Sequence, residues 1–231
     1  MNSIRTIIID DERSAREELK RALAAFPQFD IVGEAGNADE AESQIQELHP
    51  DLLFLDIQMP GRSGFELLES LPVIPAVIFV TAFDRFALRA FEVSAIDYLL
   101  KPVRDERFAK AVREAAQRIR NSNESFFFIK DGAKYHFARW SEAALIESAD
   151  AYVCIHMRDK KPLLKTSLIQ LEAALDPVHF FRANRQQLIN LRFISSIHNK
   201  EGILHAMLTT GQQVVFSERQ SAAFKKTQQN L

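Results

Sequence analysis

The stretch LLFLDIQMPG, residues 52–61, decides the fold of the first half of the chain. Four apolar residues lead directly into the carboxylate of Asp56, and the pair Pro60-Gly61 follows soon after. A continuous apolar run is typical of a strand that is covered on both faces of a parallel sheet. Ligands of such sheets bind outside the carboxyl ends of the strands. Asp56 is therefore either the plain end of a strand or a functional carboxylate at the edge of a buried sheet.

Short apolar runs and amphipathic stretches alternate on both sides of this segment. The pattern predicts strands at 4–9, 29–35, 51–56, 76–82 and 95–100, and helices at 14–26, 37–48, 64–71, 84–93 and 104–120. Five consecutive β/α units predict an α/β, doubly wound, five-stranded parallel sheet of flavodoxin-like topology. We assign this domain to residues 1–120.

The pattern changes at NSNES, residues 121–125, which we interpret as a linker. After it, the pattern predicts strands within 126–132, 134–140, 143–157, 161–168 and 202–216, and helices at 167–175 and 217–228. Residues 126–231 are therefore predicted to form a second, mostly β domain.

Composition is that of an ordinary globular protein, with 231 residues, 47% hydrophobic and 26% charged. No apolar run approaches the roughly 18 residues of a membrane span, and acidic residues follow the N-terminus too early for a signal peptide. Cys154 is the single cysteine, so an intrachain disulfide is excluded, and the scattered histidines argue against a zinc site. We expect a cytoplasmic protein without membrane contact.

The charge is distributed unevenly. Residues 1–120 contain 15 Lys and Arg against 21 Asp and Glu, a net charge of −6, whereas residues 121–231 contain 14 against 10, a net charge of +4. An acidic half joined to a basic half suggests different partners for the two, although a solvated basic surface would also account for the second half.

Polar side chains recur where the predicted strands of the first half end. Asp10 and Asp11 follow the first strand, Asp56 ends the third, Thr81 ends the fourth, and Lys101 follows the fifth. A parallel sheet brings these ends to one edge, where three carboxylates would repel one another. Mg²⁺ would relieve that repulsion, because it prefers oxygen ligands and binds phosphates. The set predicts transfer of a phosphoryl group to Asp56, with Lys101 and Thr81 in contact with the transferred group.

The segments IIIDDE (7–12), LLFLDIQMPG, FVTAF (79–83) and DYLLKPV (97–103) occur in the order typical of CheY-like receiver domains. The chain resembles these domains of two-component signalling over about residues 1–120. The resemblance implies that Asp56 accepts a phosphoryl group from a histidine kinase. It also implies that Asp11 and Asp56 bind Mg²⁺ directly, that Asp10 binds it through water, and that Gln58 contributes its backbone carbonyl.

The same resemblance implies further roles around the acceptor. Thr81 and Lys101 would contact the phosphoryl group, Tyr98 would be a rotating aromatic switch, and a cis peptide bond would precede Pro102. A phosphatase of the haloacid dehalogenase type also uses an aspartyl nucleophile, but it generally needs a second carboxylate two residues later. Gln58 occupies that position, which argues against the phosphatase and against a conventional enzyme.

Four segments of the second half resemble LytTR-type DNA-binding domains over about residues 125–228: ALIESADAYVCIH (144–156), LLKTSLIQLEAAL (163–175), FFRANRQQLINLRFISSI (180–197) and VVFSERQSAAFKK (214–226). The resemblance implies a mostly β fold that inserts loop residues into successive major grooves of double-stranded DNA, often at paired promoter repeats. By position, the expected contacts are Asn184, Arg185, Gln186 and Arg219, supported by Lys165. Two alternatives stay open: Asn184 or Gln186 holds the loop together, or the domain binds protein or RNA.

The whole architecture resembles a response regulator of the LytR/AlgR family. We expect phosphorylation to promote a homodimer and so to place two basic domains on adjacent DNA half-sites. The expected dimer face comprises the segment 84–93, the fifth strand and the start of the last receiver helix. Its charged residues are Arg85, Arg89, Asp97, Asp105 and Arg107.

Overall fold

Five parallel strands form the central sheet of the first half, which confirms the predicted fold class. The structure is a computed structural model that describes residues 3–82, 96–121, 125–131 and 134–229. The strand order is β2-β1-β3-β4-β5. The bounds are β1 Ile4–Ile9, β2 Phe29–Ala35, β3 Leu52–Leu55, β4 Ala76–Thr81 and β5 Asp97–Leu100.

Four helices flank this sheet within the described residues: α1 Arg13–Leu23, α2 Ala38–Leu48, α3 Gly64–Ser70 and α4 Asp105–Asn121. Two of them begin at side-chain caps that satisfy free backbone N–H groups. The side chain of Asn37 accepts a hydrogen bond from Glu40 N, and Ser63 and Glu66 form a reciprocal capping box at α3. The helix predicted at 84–93 lies outside the described residues.

Both faces of the sheet are buried, as the continuous apolar strands predict. Leu53 and Leu55 of β3 belong to one apolar cluster, which also contains residues of α2 and α3. Their neighbours Leu52 and Phe54 belong to the opposite cluster with residues of α1 and α4. Successive side chains of a strand point to opposite faces, so β3 is held from both sides up to the residue before Asp56.

The chain divides into two compact units, Met1–Ala138 and Arg139–Leu231. The second unit has a five-stranded sheet of order β10-β9-β8-β12-β11 and a three-stranded sheet β13-β14-β15. The strands are β8 Leu145–Ala149, β9 Tyr152–His156, β10 Leu163–Leu164, β11 Phe180–Asn184, β12 Gln187–Asn190, β13 Ile194–Lys200, β14 Ile203–Leu208 and β15 Gln213–Val215. The helices are α5 Leu168–Ala174 and α6 Glu218–Gln229. These elements confirm a mostly β second half.

The segment 143–157, predicted to be β, forms a hairpin of β8 and β9. Asp150 lies at its turn with a φ of 53°, in the left-handed region. Asparagine and aspartate tolerate that conformation better than most residues, which allows the chain to reverse there. The reversal leaves Tyr152 at the start of β9, next to the turn.

A second hairpin, β6 Phe126–Asp131 with β7 Lys134–Arg139, packs on the first unit. Ile74 N donates a hydrogen bond of 2.9 Å to Phe126 O, and the rings of Phe128 and Phe65 stack at 6.0 Å. Phe128 is fully buried in the cluster that lies beneath α2 and α3. The sequence analysis places this hairpin in the second domain, after a linker at 121–125. That domain boundary stays a prediction.

Candidate metal and nucleic-acid sites

The three carboxylates predicted to share a site meet at the carboxyl edge of the sheet. Each of Asp10, Asp11 and Asp56 offers an oxygen, and these atoms lie within 4.8 Å of one another. Asp10 is 1% exposed and Asp56 6%, whereas Asp11 is exposed. Backbone bonds fix the two buried residues: Asp56 N donates to Ile9 O at 2.9 Å, and Asp10 N donates to Ala35 O at 3.1 Å. The adjacency follows from the parallel pairing of β1 with β2 and β3.

Lys101 lies against the same carboxylates. Its Nζ is 2.7 Å from Asp10 Oδ2 and 2.8 Å from Asp56 Oδ2. Its backbone N–H donates to Thr81 O at 2.9 Å, and the peptide bond to Pro102 is cis, as the resemblance implies. One ammonium group therefore compensates two buried carboxylates that would otherwise repel each other.

Burial decides the protonation tendencies of this cluster. It raises the pKa of the Asp10 carboxyl above its usual range, and the opposing effect of Lys101 does not cancel the rise. Burial also acts to lower the pKa of Lys101, but its hydrogen bonds to Asp10 and Asp56 outweigh it and the pKa is raised. Lys101 therefore stays charged, and Asp10 accepts a proton more readily than an exposed aspartate does.

Thr81 and Gln58 complete the immediate surroundings of Asp56. Thr81 is fully buried, and its Oγ1 has no hydrogen-bond partner within the described part of the chain. Such an atom is costly to bury unless a ligand or a side-chain movement satisfies it. Gln58 N donates to Asp56 Oδ1 at 3.1 Å, which places the Gln58 backbone beside the acceptor carboxylate.

The expected switch residue and dimer face are only partly described. Tyr98 is half-buried and packs against the apolar cluster that contains Phe128. The Arg107 guanidinium pairs with the Asp97 carboxylate within the chain, and its Nη2 donates to Tyr98 O at 3.2 Å. Asp105 is exposed at the start of α4. The remaining two residues of that face, Arg85 and Arg89, lie outside the described residues.

Two residues that the sequence does not point out also shape the acidic site. Arg16 Nη1 donates to Asp10 O at 2.6 Å and so holds the backbone between the two acidic residues. A Cβ at Gly64 would come within 2.4 Å of Asp56 O, so only glycine allows α3 to begin this close to Asp56. Arg16 follows Asp10-Asp11 closely in the first turn of α1, and this nearness is the signal in the sequence that could have indicated it.

In the second unit, the predicted DNA contacts lie at the turn between β11 and β12 and at the start of α6. Arg185, Gln186 and Arg219 are exposed. Two hydrogen bonds join the two segments: Asn184 Nδ2 donates to Val215 O at 2.8 Å, and Ser217 N donates to Ala183 O at 2.9 Å. These bonds bring the turn 184–187 next to the first turn of α6.

Lys165 lies farther along the same unit. It lines an open groove of about 330 Å³ together with Ser148 and Tyr152 of the β8–β9 hairpin. Ser148 N donates to Gln186 O at 2.9 Å, which connects this hairpin to the turn that carries Arg185. Tyr152 is 43% exposed at the groove, and the β pattern of 143–157 does not indicate this position.

Asn184 is engaged within the protein on every polar side-chain atom. Its Nδ2 also donates to Gln187 Oε1 at 2.9 Å, and its Oδ1 accepts from Gln186 N at 2.8 Å. Of the two roles left open by the sequence, these contacts favour a residue that holds the loop over one that contacts bases.

Comparisons with known proteins agree with both halves of this description. The family model of the response regulator receiver domain matches residues 6–113, and that of the LytTr DNA-binding domain matches residues 133–229. An uncharacterized response regulatory protein of Vibrio cholerae is 39% identical over 224 residues, which cover 92% of this chain and 93% of that protein.

Two relatives carry more specific names. The transcriptional regulatory protein BtsR of Salmonella typhi is 32% identical over 237 residues, covering 96% of this chain and 98% of that protein. The sensory transduction protein LytT of Bacillus cereus is 31% identical over 211 residues, covering 84% and 86%.

A receiver sheet with an acidic edge, joined to a mostly β DNA-binding unit, defines a two-component response regulator. The chain belongs to the family that combines a receiver with a LytTR domain, and it is a DNA-binding regulator of transcription. No helix of the described ranges is long and apolar enough to span a membrane.

Proposed function

We propose that Asp56 is the phosphoacceptor of this response regulator and that a histidine kinase is its donor. The observation that carries the proposal is the geometry around the Asp56 carboxylate. A charged Lys101 ammonium lies 2.8 Å from one oxygen, two further carboxylates are adjacent, and the buried Thr81 hydroxyl lacks a partner within the described residues. These are the groups that a transferred phosphoryl group needs for charge compensation and hydrogen bonding.

The donor set also fits Mg²⁺. The cluster of Asp10, Asp11 and Asp56 offers only oxygen ligands, and one of the three is solvent-accessible, as a hydrated magnesium ion requires. We assign direct contacts to Asp11 and Asp56, a water-mediated contact to Asp10, and the backbone carbonyl to Gln58. When bound, Mg²⁺ would neutralise charge on the incoming phosphoryl group.

Lys101 has two tasks in this proposal. Before transfer it stabilises the carboxylates, with Nζ 2.7 Å from Asp10 and 2.8 Å from Asp56. After transfer its ammonium pairs with the phosphoryl oxygens, since Asp56 has given up its charge on the bonded oxygen. The Thr81 hydroxyl donates a hydrogen bond to the same group, and Tyr98 follows by rotating toward the space that Thr81 leaves.

We assign the DNA contacts to Arg185, Gln186 and Arg219, with Lys165 in support. These four side chains are exposed along hydrogen-bonded neighbouring segments of one unit. Arginine can bind guanine or phosphate in a forked geometry, and lysine binds phosphate as a point charge. We place this function in the bacterial cytoplasm, because both the DNA and the phosphoryl donor site of the kinase are found there.

Dimerisation on phosphorylation is part of the proposal. Asp97 and Arg107 already pair within the chain, so a reciprocal interface would exchange this pair or use it as a fixed unit. Sedimentation before and after phosphorylation tests the step, and a monomer in both states, on and off DNA, would contradict it.

The acceptor itself is tested by intact mass after incubation with acetyl phosphate and Mg²⁺. We expect one phosphoryl adduct on the wild type and none on Asp56→Asn. Asp51→Asn is a matched control, because Asp51 is an exposed carboxylate at the opposite end of β3, where it accepts a hydrogen bond from Arg5 N. An adduct that persists in Asp56→Asn would remove Asp56 from this role.

A further inference from the structure

The turn between β11 and β12 is held from one side by Arg182. The pairing of the two strands shifts register between Arg182 and Asn184, and the Arg182 side chain folds back over the turn. Its Nε donates to Asn184 O at 2.6 Å and its Nη2 donates to Arg185 O at 2.6 Å. The side chain is only 13% exposed, and Nη1 lies 3.5 Å from Glu172 Oε2. The fork of one guanidinium group therefore binds two successive backbone carbonyls.

Asn184 holds the same turn from the other side. Its Oδ1 accepts from Gln186 N at 2.8 Å, and its Nδ2 donates to Gln187 Oε1 and to Val215 O. Gln187 Nε2 in turn donates to Glu147 Oε1 of β8 at 2.7 Å. The turn is thus connected to the neighbouring strand and to the segment that leads into α6.

Three successive carbonyls of the turn are bonded inside the protein. Asn184 O and Arg185 O accept from Arg182, and Gln186 O accepts from Ser148 N at 2.9 Å. These three bonds fix the backbone conformation of the turn before any ligand arrives. The side chains of Arg185 and Gln186 are the exposed parts.

We propose that Arg182 and Asn184 are positioning residues for DNA recognition: they do not contact DNA but fix the turn that presents Arg185 and Gln186. Pre-organised contacts bind more tightly because less conformational freedom is lost on association. The inference rests on the proposed contacts of Arg185 and Gln186, and it gives Arg182, an arginine in a basic segment, a role in internal support of the turn.

The substitution Arg182→Lys distinguishes a role in support of the turn from a role in phosphate contact. Lysine keeps the positive charge that a phosphate contact needs, but it lacks the planar fork that reaches two carbonyls at once. At position 184, Asn184→Ala removes the acceptor for Gln186 N and both donors without adding a charge. A positioning role predicts that Arg182→Lys and Asn184→Ala both act like Arg182→Ala, whereas a charge role predicts that Arg182→Lys is neutral.

The experiment uses the full chain and two DNA probes. One probe is a duplex that the wild type selects from a random-sequence pool, and the other is the same duplex scrambled. Affinity is measured for both at several salt concentrations. For Arg182→Lys, Arg182→Ala and Asn184→Ala we expect at least a tenfold loss on the selected duplex, less than twofold on the scrambled one, and an unchanged salt slope. Arg185→Ala, as the contact control, should lower both affinities and reduce the salt slope by about one.

A double substitution gives the second readout. On the Arg185→Ala background, Arg182→Lys should cost less than a further twofold, because the contact that it positions is already lost. Losses that multiply, a wild-type affinity for Arg182→Lys, or a lower salt slope for Arg182→Ala would each overturn the proposal. If Arg182→Lys does not fold, Asn184→Ala decides by the same criteria.

The wild type provides the test of the underlying function. If it selects no duplex from the pool, or if Arg185→Ala binds as the wild type does, the proposed contacts fail. If those two behave as expected and the 182 and 184 variants match the wild type, only the positioning role fails.

Discussion

The acidic edge of the receiver and the turn of the DNA-binding unit are built in opposite ways. At the acidic edge, Asp10, Asp56 and Lys101 come from three strands that are distant in the sequence, and a core that is buried on both sheet faces holds them. At the turn, residues 182–187 are consecutive, and side-chain hydrogen bonds to the backbone hold them. The first site therefore depends on the packing of the whole receiver sheet, whereas the second depends on hydrogen bonds within the turn and on a few bonds to neighbouring segments.

The largest expected effect tests the dependence of the acidic edge on the core. Phe54 is fully buried two residues before Asp56 and stacks on Phe108 at 5.6 Å. Phe54→Ala should lower the free energy of unfolding by about 3–5 kcal/mol, because it removes apolar contact and leaves a cavity. Denaturant unfolding of the receiver measures the loss. A change below about 1 kcal/mol would show that the site does not depend on this core.

The next effect concerns the turn and its neighbour. Arg219→Ala should lower DNA affinity by about 1–3 kcal/mol while thermal stability stays as in the wild type, because Arg219 is exposed in the first turn of α6. Fluorescence anisotropy with the selected duplex measures the loss. Lys225→Ala is the control. Lys225 lies in the same helix as Arg219, but its Nζ donates a hydrogen bond to Gly202 O at 3.0 Å. An unchanged affinity for Arg219→Ala would move this residue to a structural role.

A smaller effect tests how Lys101 and Mg²⁺ share the carboxylates. Lys101→Met removes a cation that lies within 2.8 Å of two buried carboxylates. We expect Mg²⁺ affinity, measured by calorimetric titration, to rise by about 1–2 kcal/mol, which is well below the unscreened Coulomb energy at this distance. Lys110→Met changes an exposed lysine of the same domain and should leave the affinity unchanged. Weaker binding by Lys101→Met would show that the lysine assists the ion.

The smallest expected effect concerns the helix beside the acceptor. Ser63→Ala removes the cap of α3, which accepts from Glu66 N, and should cost about 1 kcal/mol of stability. Thermal unfolding measures the change, and phosphorylation of Asp56 should still proceed. A loss of phosphorylation in Ser63→Ala would show that the acidic edge, like the turn of the DNA-binding unit, depends on a local hydrogen bond.

The acidic edge could be predicted because topology alone brings strand ends together. Asp10, Asp56, Thr81 and Lys101 follow apolar strands, and parallel pairing leaves few other arrangements. The roles of long side chains with backbone partners could not be predicted. Arg16 and Arg182 donate to backbone carbonyls, and every residue has a backbone carbonyl, so the sequence does not show which one is the partner.

Two further features could not be predicted from the sequence, for different reasons. The reversal at Asp150 lies in a segment without glycine or proline, so the β pattern of 143–157 does not show where the chain turns. The pair Asp97–Arg107 joins a strand to a helix ten residues later, and the sequence alone does not distinguish this pairing from one between two copies of the chain.

The hairpin of β6 and β7 has a consequence for the exchange of output domains between response regulators. A chimera joined at 121–125 would separate Phe128 from Phe65 and would break the bond between Ile74 N and Phe126 O. A junction at Ala138 would keep these contacts, because the first compact unit ends there. Recombination within the family would therefore preserve the aromatic packing of the receiver in two cases. In one, the hairpin and the receiver come from the same parent; in the other, the new hairpin has phenylalanines at the matching positions.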